Sequence, residues 1–179
     1  MSIELTQAHN DAAGELMLLY TKTLGTPEGM IDPKLLLCGI SVLAGQELLK
    51  THVVPERLET FPEGQPLLHP EVSEAGPEMM SFFAWVCNRM KLGWEPEQGK
   101  PEPWEFYVRL MKMTTQKAAE ISAVFETHKV PQNERVYVGL LGAAKVVELA
   151  RAAMEPKKAQ PMVLHAFVHG SKTVPFRSA

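Results

Sequence analysis

The stretch Asp32–Lys50, DPKLLLCGISVLAGQELLK, decides the fold. Asp32 is a side-chain acceptor placed to cap a helix, and Pro33 suits the first helical position, where its missing N–H has no intrahelical partner. Leu35, Leu36, Leu37, Ile40, Val42, Leu43, Leu48 and Leu49 then cover so much of the circumference that little polar face remains. A helix apolar all round belongs at the centre of a bundle, enclosed by other helices. Its most apolar run, Leu35 to Gly45, is far shorter than the about 20 residues needed to span a bilayer, and Gln46 and Glu47 follow it.

Working outward, the same punctuation recurs. Gly76-Pro77, Glu102-Pro103 and Val130-Pro131 each stand before a stretch with apolar residues at helical spacing. With a first helix over about 5–23, ended by Gly25, this predicts five helices, the others spanning about 32–50, 77–92, 103–127 and 131–154. Gly14 is the odd residue of the first helix, because glycine weakens a helix interior. The fourth helix has the clearest register, with Trp104, Tyr107, Met111, Thr114, Ala118, Ile121 and Phe125 at alternating spacings of three and four. The expectation is an all-α domain: a compact bundle of about five helices over residues 1–154.

Two segments lie outside this scheme. Between His52 and Gly76 stand Pro55, Pro62, Pro66 and Pro70, which predicts a long ordered loop with one short helical turn near Glu56–Glu59. A second proline-rich link joins Trp94 to Glu102. Residues 155–179 read as a basic C-terminal arm, with Lys157, Lys158, Lys172 and Arg177 against Glu155. The mixed polarity of Pro161–His169, and the turn signal at Gly170-Ser171, predict a short β pair or an extended arm. It would pack on its own domain or on a partner subunit.

Composition bounds the function. The chain has 179 residues, 45% hydrophobic and 22% charged, with a net charge of −3. That suits one folded domain and offers phosphate backbones no global attraction. Lys112, Lys117, Lys145 and Arg151 are scattered without an aromatic platform, so nucleic acid is not an expected partner. The start MSIELTQAHND lacks the basic and apolar regions of a signal peptide, and the only cysteines, Cys38 and Cys87, lie in apolar stretches. Both points predict a cytoplasmic setting with no membrane insertion.

Motifs for chemistry are sparse. His165 and His169 have the H-x3-H spacing that puts two imidazoles on one face, a candidate metal pair lacking a third ligand. His9-Asn10-Asp11 and His69-Pro70-Glu71 bring imidazole near carboxylate, with Asn10 or Asp11 read as a helix cap. Phosphate loops and cofactor motifs are absent, and no cofactor is expected. The remaining signal is ten methionines, several of them close to the tryptophans. Met80, Phe83, Trp85, Trp94, Trp104, Tyr107 and Met111 are the candidate lining of an adaptable groove between the third and fourth helices. The expected function is therefore a protein–protein interaction or assembly module, homo-oligomeric or pairing with another protein. The alternatives are a binder of a small apolar ligand in that groove, and a metal-dependent enzyme acting through His165 and His169.

Overall fold

In the computed structural model, which describes residues 3–177, eight α-helices follow one another: α1 (Gln7–Leu24), α2 (Pro33–His52), α3 (Pro55–Leu58), α4 (Pro70–Arg89), α5 (Trp104–Gln116), α6 (Ala118–Thr127), α7 (Arg135–Ala150) and α8 (Pro156–Ser171). A 3-10 turn at Gln132–Glu134 leads into α7. Among the described residues there is no strand, and one isolated bridge joins Pro66 to Thr173. The all-α class is as the sequence predicts.

The central position of α2 follows from its composition. Every residue from Leu36 to Leu49 is buried, and Asp32 caps the helix by accepting from the Lys34 amide at 2.9 Å. The helix packs most extensively on α8 and α7, then on α5 and α1. Backbones approach closely enough that a Cβ on Gly45 would lie 2.3 Å from the Phe167 carbonyl oxygen, and one on Gly170 would lie 2.3 Å from that of Val42. Only glycine at both positions permits this α2–α8 crossing.

The segment read as an arm with a short β pair is therefore the helix most tightly seated on the core. Ala159, Val163, Ala166 and Phe167 are buried there. The mixed polarity and the Gly170-Ser171 signal mislead because both lie within one helix, where Gly170 serves the close crossing and not a turn, and Pro161 lies inside it too. A helix-interior proline leaves the carbonyl four residues earlier without its partner. Here that carbonyl, of Lys157, accepts instead from the Glu97 amide at 3.0 Å. After α8 the chain runs antiparallel to the proline-rich loop, with Leu67 N–H bonded to Lys172 O at 2.8 Å and Val174 N–H to Gln65 O at 2.9 Å.

Three other boundaries differ from expectation. Helix α4 begins at Pro70 and continues through Pro77, because extending the helix carries Val72 into the core, where it is 2% exposed. The predicted fourth helix is two, divided at Lys117. Helix α1 is capped by Thr6, not by Asn10 or Asp11: the His9 amide donates to Thr6 Oγ1 at 3.4 Å and the Thr6 amide to His9 Nδ1 at 3.1 Å. This reciprocal arrangement satisfies two amides at the helix start. No helix of the described residues is long and apolar enough to cross a membrane.

Candidate functional site

Helices α1 and α7 pack side by side and leave a trough between them. One wall is Gly14, Met17, Leu18 and Thr21, a stripe at helical spacing on the side of α1 away from its buried Ala12, Ala13, Leu16 and Tyr20. The other wall is Lys145, Val146, Glu148, Leu149 and Ala150 of α7. Ile31, Pro33, Leu36 and Met90 complete the lining, around a volume of about 570 Å³. The lining is almost wholly apolar. A Cβ built on Gly14 would meet nothing within 4 Å, so this glycine opens the trough and makes no close helix crossing.

The rims carry the unusual energetics. Leu18 is 61% exposed and Leu149 is 74% exposed. Isolated exposed leucines need no explanation, but two flanking an apolar depression form a contiguous patch. Lys145 and Glu148 supply the only charges of the lining. The Lys145 ammonium turns back to donate to the Asn10 carbonyl at 3.1 Å, and burial holds its pKa below the usual lysine value. The Glu148 carboxylate makes no hydrogen bond or ion pair among the described residues, although its charge, like that of Asp11, acts on Lys145 one turn earlier and opposes the effect of burial there. Its backbone carbonyl accepts from the Arg151 amide at 3.3 Å.

The seven residues read as a groove lining are not brought together. Phe83 is fully buried in the main core, where Trp94 meets it edge-on at 5.6 Å between ring centres, and Met80 packs on the same cluster. Tyr107 and Met111 belong instead to a second cluster, with Cys38, Val42, Leu110 and Ala166. Trp85 and Trp104 are partly exposed but line separate depressions, Trp85 with Arg89 and Trp104 with Arg109 and Lys112. Most of the methionines, with Trp94, thus fill or pack against the core, whereas Trp85 and Trp104 remain at the surface. The α1/α7 trough escaped the sequence reading because its walls are far apart in the chain; Gly14 was its one local signal.

The histidines have structural partners. His165 Nε2 lies 3.1 Å from the Gly99 carbonyl, and the His169 ring stacks on Tyr107 with centres 4.1 Å apart. Burial, and then the neighbouring His165, holds the His169 pKa below the ordinary histidine value. His165 is one of several ties fixing the second proline-rich link along α8. Gln160 makes two more, donating to the Gly93 carbonyl at 2.8 Å and accepting from the Glu95 amide at 3.1 Å.

His9 pairs with Glu134 at 2.9 Å, not with Asp11 beside it, and is 5% exposed. Its Nδ1 accepts from the Thr6 amide, so the neutral ring places its proton on Nε2 and donates to Glu134. The imidazole thereby ties the start of α1 to the turn before α7. His52, not His69, faces Glu71, at 3.5 Å. Among the described residues, no group of three or more His, Cys, Asp or Glu is arranged to hold a metal ion. Burial pushes the thiols of Cys38 and Cys87 up to about 12, which disfavours the thiolate needed for nucleophilic attack.

The chain matches no protein-family model, no curated protein and no solved structure.

Proposed function

We propose that this protein is a non-catalytic interaction module whose working surface is the α1/α7 trough, and that the trough receives an apolar segment of a polypeptide. The observation that carries this reading is the continuity of floor and rim: an apolar trough of about 570 Å³ bordered by Leu18 and Leu149, both largely in water. The volume alone also suits a small apolar ligand, since such sites run from about 300 to 1,000 Å³. A ligand confined to the floor would leave both rim leucines exposed. A helix, about 10 Å across with its side chains, covers floor and rims together.

Binding of the neutral apolar dye Nile red to dilute protein tests whether this is the working surface. Wild type is expected to bind it with a fluorescence increase, and Gly14→Leu, which fills the trough, is expected to lose that increase while remaining folded by circular dichroism. Undiminished dye binding by a folded Gly14→Leu variant would place the accessible apolar surface elsewhere and sink the proposal.

A further inference from the structure

We infer that the polypeptide seated in the trough is a second copy of this chain, related by a two-fold axis; this rests on the reading that the α1/α7 trough is the working surface. The face carries both a projection and a recess. Leu149 projects, 74% exposed, and the recess is at Gly14, where a Cβ would meet nothing within 4 Å. A surface that holds knob and hole together can pair with itself, as a two-fold interface requires.

The positions along the helices agree with such a pairing. A Cβ on Gly142 would lie 3.8 Å from the Ala13 carbonyl oxygen, so Gly14 stands level with Ala143 and Ala144 of its own α7. Cross two α7 helices antiparallel, centred between Val146 and Val147. Leu149 of one copy then reaches the level of the partner's Ala144, and therefore of the partner's Gly14. The same crossing sets Lys145 of each copy against the partner's Glu148.

The charges fit this arrangement. Lys145 has ammonium protons to spare beyond the one given to Asn10. The Glu148 carboxylate makes no hydrogen bond or ion pair among the described residues of its own chain, where its charge acts on Lys145 one turn earlier without closing a contact. One register thus fills the recess, covers the exposed leucine and pairs the two charges of the lining, twice over by symmetry.

The experiment is sedimentation velocity on the full chain and three variants, with disulfide trapping beside it. Wild type is expected to run as a concentration-dependent dimer. Glu148→Lys and Lys145→Glu are each expected to raise the dimer dissociation constant about tenfold or more, because each sets like charges face to face twice. The charge-swapped double variant Lys145→Glu/Glu148→Lys is expected to recover most of that loss. On mild oxidation, Gly14→Cys/Leu149→Cys is expected to cross-link into covalent dimers, with the buried native thiols taking no part.

Three results would overturn the inference. A dimer indifferent to the charge reversals and refractory to trapping uses another surface. A wild type that is monomeric throughout, yet binds Nile red in a Gly14-dependent way, keeps the trough as working surface but gives it a different occupant. A monomer without Gly14-dependent dye binding removes both this inference and the reading beneath it.

Discussion

Replacing Gly14 by alanine separates local stability from binding at one position. In α1 the residue sits mid-helix, where glycine is about 1 kcal/mol less favourable than alanine. Most of that difference is the greater backbone freedom glycine has in the unfolded chain. The usual objection is that the added methyl would clash. Here a Cβ at position 14 meets nothing within 4 Å, so no packing cost offsets the gain. Gly14→Ala is therefore expected to stabilise the monomer by about 0.8 kcal/mol, which for a chain of this size raises Tm by roughly 2–3 °C. Urea unfolding monitored by circular dichroism at low protein concentration measures it, with an unchanged m-value as the control for two-state behaviour. Destabilisation by 0.5 kcal/mol or more, on the order of half the propensity term itself, would mean that the space beside Gly14 is filled in the monomer. The trough would then not be open as described.

Further perturbations test other joints of the fold. Gly170→Ala is expected to destabilise by about 3 kcal/mol, at the upper end of core overpacking, because its Cβ would lie 2.3 Å from the Val42 carbonyl oxygen and backbone must move; equilibrium unfolding with less than a third of that loss would contradict the close α2–α8 crossing. Gln160→Ala removes the ties to Gly93 and Glu95 and is expected to cost about 1–2 kcal/mol. Faster amide exchange at Glu95 and Glu97 should accompany it, and unchanged exchange there would refute the strap. His169 has a folded-state pKa below its ordinary value of 6.5, so the unfolded chain binds its proton first. Its contribution to stability is accordingly intact above 6.5 and is lost as pH falls from there through the folded pKa. His169→Phe is expected to flatten that part of the stability-versus-pH curve, and a curve of unchanged slope would show that burial on Tyr107 does not perturb the ring.

Much of the fold was legible because α2 is dominated by one physical term. Its apolar circumference and Asp32–Pro33 start require a buried central helix whatever its neighbours are. Helix boundaries were less legible wherever tertiary burial outweighed a local rule. Pro77 reads as a start, yet burying Val72 carries α4 through it. Pro161–His169 reads as a strand or an extended arm, yet the segment is helical through Pro161, with the Glu97 amide satisfying the carbonyl that the proline frees. Neither compensation has a local signature, since the compensating groups lie elsewhere in the chain. The same limit explains the candidate site. Trp104, Tyr107 and Met111 have a binding composition but fill or border the core beside α2, whereas the trough needs α1 and α7 juxtaposed before it exists.

The helical glycines show why Gly14 is the residue to weigh most heavily. Gly45, Gly139 and Gly170 each have backbone or Cβ atoms of a neighbouring helix within 3.0 Å of where their own Cβ would lie. Their propensity cost is therefore offset by close approach inside the molecule. Gly39 lies against the Tyr20 ring at 3.0 Å, and Gly142 against Ile40 at 3.2 Å, so both share that explanation. Gly76 has open space around it, but it precedes Pro77, and a residue before proline carries a steric restriction that losing Cβ relieves. Gly14 has neither reason: no neighbour is near it and no proline follows. A helix that accepts about 1 kcal/mol of lost propensity without an internal contact in return points to a contact made from outside. In the proposed dimer that contact is Leu149 of the second copy, which lies on the same face and is 74% exposed in the monomer.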